Sequence, residues 1–109
     1  MYPYYKADLD AGKITREEAQ ELIDCIWVKF NDLSKCRDAE SAKGFAGYGV
    51  FQNLIVGGQN AQGQDVTNDL SFMCIEASFH VFLPQPSLSI RVWNGSPYDL
   101  LIRAAELTI

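Results

Sequence analysis

The sequence has no two adjacent lysines or arginines, and its nine basic residues are outnumbered by 14 acidic ones, giving a formal net charge of −5. A nucleic-acid-binding surface needs clustered positive charge to neutralise phosphates, so this class of partner is excluded. No apolar stretch approaches the ~20 residues that span a bilayer, and Met1–Lys6 lacks the apolar core of a signal peptide. We therefore expect a cytoplasmic protein that binds neither nucleic acid nor a membrane.

Cysteine is scarce and odd in number, with Cys25, Cys36 and Cys74 and no C-x-x-C pair. An odd count without an export signal argues against a disulfide framework. Cys25 and Cys36 are about three helical turns apart, too far to share a metal ion. Cys74 falls in an apolar helix, where burial raises a thiol's pKa and makes it inert. We predict that all three pack in the interior.

The first third of the chain predicts a long amphipathic helix. Residues 1–14 are typical of the tail of one element followed by a turn. Thr15 and Glu18 then form the pattern of a capping box, which predicts a helix from about Arg16 to about Cys36. Its apolar residues recur at helical spacing and predict one buried stripe. The stripe contains Ala19, Leu22, Ile23, Ile26, Trp27, Phe30 and Leu33.

The rest of the chain predicts a loop and then strand, helix, strand and helix. Residues 37–49 are polar and then glycine-rich, but glycines at 44, 47 and 49 do not match G-x-G-x-x-G, which argues against nucleotide binding. Residues 59–65 are predicted to form a polar loop, and a hairpin at this loop stays an open alternative. The second helix is apolar on nearly every side, which predicts enclosure by other elements. The predicted elements are a strand over Val50–Val56, a helix over Asn68–Phe82 capped by Thr67 or Asp65, a strand over Ser87–Trp93, and a helix over Pro97–Leu107 capped by Ser96.

Two strands joined through a crossover helix are normally parallel, with a right-handed connection. Parallel sheets are covered on both faces, and two strands alone do not make a stable one. The sequence therefore predicts an α/β segment that continues a sheet or barrel built mostly by other sequence.

Three motifs occur in order: FQNLIVGGQ at Phe51–Gln59, DVTNDLS at Asp65–Ser71 and LPQPSLSIR at Leu83–Arg91. Together they resemble the pyruvate formate-lyase-like family of glycyl radical enzymes. Phe51–Gln59 (FQNLIVGGQ) is similar to the strand that opens a family block, and Asp65–Ser71 (DVTNDLS) to its Asp-Ala-Thr-Asn-Glu-Leu-Ser helix start. Leu83–Arg91 (LPQPSLSIR) resembles the family's Leu-Pro-Gln-Pro-x-Leu-Ser-x-Arg segment. The resemblance covers essentially the whole chain and points to the dehydratase and lyase branch.

The resemblance implies a fold and a radical chemistry. The fold would be a strand-helix-strand-helix segment of a ten-stranded α/β barrel, preceded by the long amphipathic helix. In the family, a glycyl radical takes a hydrogen atom from a cysteine, and the thiyl radical then abstracts hydrogen from a small-molecule substrate. An iron–sulfur activating enzyme that uses S-adenosylmethionine installs the radical, and the full-length enzymes are expected to be homodimers.

Neither the family's Gly-Cys-Val-Glu type loop nor its Arg-Val-x-Gly type motif occurs in this sequence. By the family's spacing, the cysteine loop would follow a few dozen residues after Ile109. We therefore expect an internal segment of a lyase, dehydratase or formate acetyltransferase that carries no cofactor and is inactive alone. Two alternatives stay open: a structural or interaction fragment with exposed strand edges, and a small-molecule binding module without catalysis.

Phe51 and Gln52 are the candidate substrate-binding residues. The resemblance places a phenylalanine near Phe51 against the substrate, and an aromatic wall suits a dry radical site, although an ordinary core aromatic is an equal alternative. Gln52 and Asn53 could contact substrate, but the favoured expectation is that one of them bonds backbone in a neighbouring strand or the glycine loop.

The remaining candidates are charged. His80 is the only histidine, and Glu76 one turn earlier predicts a surface pair, with an acid–base pair as the alternative. Arg91, flanked by Ile90 and Val92 on a buried strand, must be paired. A structural salt bridge is favoured for Arg91 over a substrate carboxylate.

Overall fold

The computed structural model describes residues 1–33, 38–45 and 52–108. Cys36, Val50 and Phe51, which carried sequence predictions, lie outside the described residues. Within these ranges no helix is long and apolar enough to cross a membrane. The elements in chain order are α1 (Tyr2–Asp10), α2 (Arg16–Asp32), α3 (Ala39–Gly44), β1 (Asn53–Gly57), α4 (Asp69–Val81), β2 (Ser87–Arg91) and α5 (Tyr98–Thr108).

Helix α2 begins as predicted and ends earlier. The Thr15 hydroxyl accepts the amide hydrogen of Glu18, and the Glu18 carboxylate accepts the amide hydrogen of Thr15, which confirms the capping box. The helix stops at Asp32 rather than near Cys36, because the backbone at Leu33 is extended. The predicted stripe was too wide, since Leu22 is 58% exposed. The buried residues of α2 are Ala19, Gln20, Ile23 and Trp27.

Short helix α3 was missed, because residues 37–49 were interpreted as a loop. Its N-terminus is capped by Asp38, whose carboxylate accepts the amide hydrogen of Ser41 at 3.1 Å. The Asp38 carboxylate three residues before Ser41 is a capping signal that the sequence contained. Six residues without a buried side chain give no apolar periodicity to detect.

Helix α4 is capped by Asn68 and not by Thr67 or Asp65. The Asn68 side chain accepts the amide hydrogen of Leu70 at 3.1 Å, and the Ser71 hydroxyl accepts that of Asn68 at 3.3 Å. Asp65 is used locally instead, because its carboxylate accepts both the amide and the hydroxyl hydrogen of Thr67. Asp65 also pairs with Gln59 in an isolated antiparallel bridge, so the polar loop folds back on itself.

The two strands pair in parallel, which confirms the prediction from chain order. The register joins Asn53 to Ser87 and Gly57 to Arg91, and α4 is the crossover between the strands. β2 ends at Arg91, two residues before the predicted end at Trp93. At the next turn the Ser96 hydroxyl accepts the amide hydrogen of Trp93, rather than capping α5 as predicted.

Helix α4 is the centre of the fold, because it contacts α2, α5 and both strands. The core between α2 and α4 consists of Ala19, Ile23, Trp27, Met73 and Ala77. Ile75 and Leu100 are also fully buried. The Cα radius of gyration is 16.3 Å, whereas a compact chain of this length has about 13 Å. The chain therefore has a core of its own and an extended outline around it.

Phe82 closes α4 in a conformation that favours glycine. Its φ is +50° in the left-handed region, and its side chain is 88% exposed. We expect Phe82→Gly to raise the free energy of unfolding by about 1 kcal/mol, because the left-handed conformation costs an L-residue about 1–2 kcal/mol and glycine's chain entropy offsets part of that. Urea unfolding followed by tryptophan fluorescence measures the change. The control Phe79→Gly, inside α4, should be destabilising, and a destabilising Phe82→Gly would contradict the expectation.

Candidate functional site

The two-stranded sheet has one packed face and one open face. Leu54 and Leu88 pack against the helical core. Because side chains alternate along a strand, the intervening residues lie on the opposite face. We call this the open face, and it consists of Asn53, Ile55, Ser87, Ser89 and Arg91. The described residues leave Ile55 half exposed, which is consistent with a face that further sequence covers.

The open face offers neutral hydrogen-bonding groups. The Ser89 hydroxyl donates to the Asn53 side-chain oxygen Oδ1 at 2.9 Å across the two strands. This contact orients the Asn53 carboxamide and leaves its amide hydrogens for another acceptor. Apart from the Arg91 guanidinium at the end of β2, the side chains of the face are uncharged and none is a carboxylate, so around Asn53 and Ser89 it is suited to hydroxyl groups rather than to cations.

Arg91 does not form the predicted buried salt bridge. It is exposed at the end of β2, and it makes no ion pair with any described residue. The prediction assumed a strand covered on both sides, and in this chain the open face has no cover among the described residues. The stem of Arg91 packs beside Gly58 instead.

Gln52 immediately precedes β1 and is held through its backbone. Its amide hydrogen is donated to the Gln85 side-chain oxygen at 2.8 Å, and its carbonyl accepts the amide hydrogen of Ser87 at 2.8 Å. Gln52 is half-buried, and its carboxamide has no hydrogen bond with a described residue. Among the described residues the Asn53 side chain bonds the Ser89 hydroxyl, and most of the glycine loop that the expectation named as a partner lies outside the described residues.

The carboxyl ends of the two strands are tied together by Trp93. Its indole N–H donates to the Asp65 carboxylate at 3.1 Å, which joins the segment after β2 to the loop after β1. This hydrogen bond is the main reason that the pKa of Asp65 lies below its ordinary value, and hydrogen bonds from Thr67 add to it. The carboxylate therefore stays ionised and acts as an acceptor in a structural contact.

The predicted His80–Glu76 pair does not form. His80 Nδ1 lies 2.8 Å from the Asp24 carboxylate, and Glu76 pairs with Arg16 at 2.8 Å. Both partners come from α2, because the faces of α2 and α4 that pack together bring these side chains side by side. Because Asp24 and Arg16 are far from α4 in sequence, the helical spacing within α4 predicted the wrong partner for His80.

The α2–α4 contact holds a polar network that ends in the core. Gln20, only 7% exposed, donates from one amide nitrogen to the Met73 carbonyl at 3.0 Å and to the Asp24 carboxylate at 2.8 Å. Across the described ranges, no group of three or more histidine, cysteine or acidic side chains could hold a metal ion. This network links the helices and has no nucleophile or third titratable partner for catalysis.

Cys25 is exposed on α2, which corrects the prediction that it packs in the interior, and Cys74 is half-buried on α4. Burial raises the pKa of the Cys74 thiol to about 11. In a Cys36→Ser background we expect iodoacetamide at about pH 8 to alkylate Cys25 and spare Cys74, because only about one Cys74 thiol in a thousand is then ionised. Mass spectrometry of tryptic peptides measures the labelling. In denaturant the two rates should converge, and equal rates in the native chain would contradict the expectation.

The strand edge of β1 borders an open groove of about 450 Å³. The groove runs between β1, the start of α1 and the start of α4, and Tyr2, Ile55 and Val66 are among its lining residues. It is wide and shallow, with no charged side chain in its lining. Such a groove, beside a strand edge that has no partner among the described residues, is a place for more protein rather than an enclosed ligand pocket.

Sequence reasoning named Gln52 and Asn53 but missed Ser89 and Gln85. Ser89 belongs to the site only through the register of β1 against β2. The signal for Ser89 was the small and polar alternation of β2, which marks one face of a strand. No local signal could identify Gln85, because its side chain bonds an amide 33 residues earlier in the chain.

Comparisons with known proteins confirm the resemblance drawn from the motifs. The profile of the family described as Pyruvate formate lyase-like matches residues 1–109. A structure that concerns 1,2-propanediol dehydration in Roseburia inulinivorans is 77% identical with a TM-score of 0.92. The match covers 98% of this chain and 13% of that one. The B12-independent glycerol dehydratase of Clostridium butyricum is 60% identical with a TM-score of 0.89. That match covers 98% of this chain and 13% of the dehydratase.

A more distant relative gives the same result. The (2S)-3-sulfopropanediol dehydratase of Klebsiella oxytoca is 34% identical over 111 residues, which are 97% of this chain and 13% of that protein. The chain thus spans about an eighth of the length of the proteins it matches. Since the match to the family extends over every residue, the chain belongs to the pyruvate formate lyase-like family of glycyl radical enzymes.

Proposed function

We propose that this chain is a segment of a glycyl radical dehydratase in which β1 and β2 are two strands of a ten-stranded barrel and the open face borders the substrate. The observation that carries the proposal is the parallel strand pair with one face packed on α4 and the other polar and open. A barrel with helices outside has this division, because its inner strand face meets the lumen. The outer edge of β1 has no partner strand within the described ranges, and this edge and the adjoining groove leave room for neighbouring strands.

The substrate class that fits the open face is a small vicinal diol. Asn53 and Ser89 are uncharged, and both can donate to or accept from a hydroxyl group. Gln52, a half-buried residue immediately before β1, adds a third neutral side chain beside this face. We assign Gln52 to substrate binding, with Phe51 beside it in sequence as an apolar wall. The two similar structures concern 1,2-propanediol and glycerol, which are neutral polyols of this kind.

The residues of this chain would bind and orient a diol and exclude water, while the radical chemistry is supplied elsewhere. The chemistry needs a thiyl radical formed from a cysteine by a glycyl radical, which an S-adenosylmethionine-dependent iron–sulfur activating enzyme installs. The sequence contains neither the family's Gly-Cys-Val-Glu type cysteine loop nor its Arg-Val-x-Gly type radical motif. We therefore propose that the isolated chain is inactive, and that the complete enzyme is a cytoplasmic homodimer.

A segment exchange tests the proposal. The matching segment of the Clostridium butyricum glycerol dehydratase is replaced by this chain, the chimera is activated, and aldehyde formation from 1,2-propanediol and glycerol is measured. We expect turnover of at least one diol, because the two segments are 60% identical with a TM-score of 0.89. A matched chimera with Asn53→Leu and Ser89→Ala should lose activity, since both open-face hydrogen-bonding groups are gone.

The radical signal separates the outcomes of the exchange. Electron paramagnetic resonance reports whether a chimera carries the glycyl radical. A chimera that carries the radical and turns over no diol would contradict the proposal and favour an interaction fragment. Unchanged activity in the Asn53→Leu, Ser89→Ala chimera would remove the open face from the substrate site.

A further inference from the structure

The start of β1 is fixed by a side chain and not only by the sheet. The Gln52 carbonyl accepts the amide hydrogen of Ser87 at 2.8 Å, as it would in a continuing parallel ladder. In that ladder the Gln52 amide would donate to the main-chain carbonyl of residue 85. The Gln85 side-chain oxygen occupies this role instead, at 2.8 Å from the Gln52 nitrogen.

Both backbone groups of Gln52 are therefore bound to a three-residue segment, Gln85–Ser87. Pro86 in its middle is buried and has no amide hydrogen, so it cannot contribute a backbone donor. Gln85 itself is half-buried, which limits the freedom of its carboxamide. Removing the Gln85 acceptor would free the Gln52 amide while β1 and β2 keep the ladder from Asn53 onward.

We infer that Gln85 is a positioning residue, whose carboxamide fixes the backbone of Gln52 and thereby holds the start of β1, from which the Asn53 side chain on the open face meets the substrate. The inference rests on the proposed function. Misplacement of a binding group by a single ångström can cost about a hundredfold in rate.

Amide hydrogen exchange of the 109-residue chain tests the contact. Gln85→Met keeps the side-chain length and removes the acceptor, whereas Gln85→Glu keeps an acceptor oxygen. We expect the Gln52 amide to exchange about tenfold faster in Gln85→Met, the equivalent of one net hydrogen bond, and to stay protected in Gln85→Glu. The core amides of Met73 and Ala77 should not change. Equal Gln52 exchange in all three chains overturns the inference.

The same substitutions in the active chimera test the positioning role. We expect Gln85→Met to lower kcat by about ten- to hundredfold with an unchanged melting temperature, and Gln85→Glu to restore most of it. An active chimera whose kcat is insensitive to Gln85→Met overturns the positioning role. If the unsubstituted chimera carries the radical and is inactive, the proposed function fails. The amide hydrogen exchange of the 109-residue chain then still decides whether Gln85 fixes the backbone of Gln52.

Discussion

Replacing Gly57 by alanine is expected to lower the free energy of unfolding by about 2–5 kcal/mol, which sums the cost of a left-handed backbone for an L-residue and that of overpacking. Gly57 ends β1 with a φ of +74°. A Cβ placed there would lie 2.8 Å from the Arg91 carbonyl oxygen and 3.3 Å from a Leu100 methyl carbon. The first neighbour is backbone of the paired strand, so β2 would have to move away.

Gly63 is the matched control, because its φ is nearly the same and the close contact is missing. Its φ is +75°, and nothing lies within 4 Å of an added Cβ. Gly63→Ala should therefore cost only the backbone term, about 1–2 kcal/mol. Urea unfolding of both variants, followed by circular dichroism, gives the difference. Equal losses at the two positions would mean that the end of β1 is not packed against β2 as described.

The packing of Gly57 also explains why two glycines follow one another at the end of the strand. Gly58 has a φ of +92°, and a Cβ added there would lie 3.1 Å from the Cβ of Arg91. Two consecutive residues with positive φ turn the chain out of the sheet at once. The turn leads into the loop whose Asp65 accepts the Trp93 indole hydrogen. The ends of both strands are thus joined by backbone contact and by one side-chain hydrogen bond.

Elements with a strong local signal could be predicted from sequence. The capping box at Thr15 and the apolar period of α2 depend on residues within one or two turns, so α2 was found with a correct start. The parallel pairing of β1 with β2 also followed, because a crossover helix between two strands constrains their direction.

Contacts between distant residues could not be predicted. His80 pairs with Asp24 and the Gln52 amide with Gln85 because of how helices and strands pack, and no short-range pattern encodes either contact. Sequence also overestimated burial on α2. Leu22 has the spacing of a core residue, but only one face of α2 meets α4, and Leu22 lies on another. Apolar periodicity therefore predicts which residues can be buried, whereas the partner decides which are.

The stability of the core between α2 and α4 depends strongly on Trp27. Its side chain is 2% exposed between α2 and α4, and its indole N–H donates to the Ser78 hydroxyl at 3.0 Å. We expect Trp27→Ala to lower the free energy of unfolding by about 3–5 kcal/mol, because a large buried side chain leaves a cavity that the helices fill only in part. A domain of this size has about 5–15 kcal/mol in total, so the variant should be close to unfolding.

Two controls on the same helices separate packing from helix propensity. Leu22→Ala removes an exposed side chain from α2 and should change stability by no more than about 0.5 kcal/mol. Ser78→Ala keeps the packing but removes the indole's acceptor, and should cost about 1–3 kcal/mol for the unsatisfied donor. If Trp27→Ala proves as mild as Leu22→Ala in urea unfolding, the α2–α4 contact is not the interior of this chain. In that case β1 and β2 have no folded support within this chain, and the open face forms only together with further sequence.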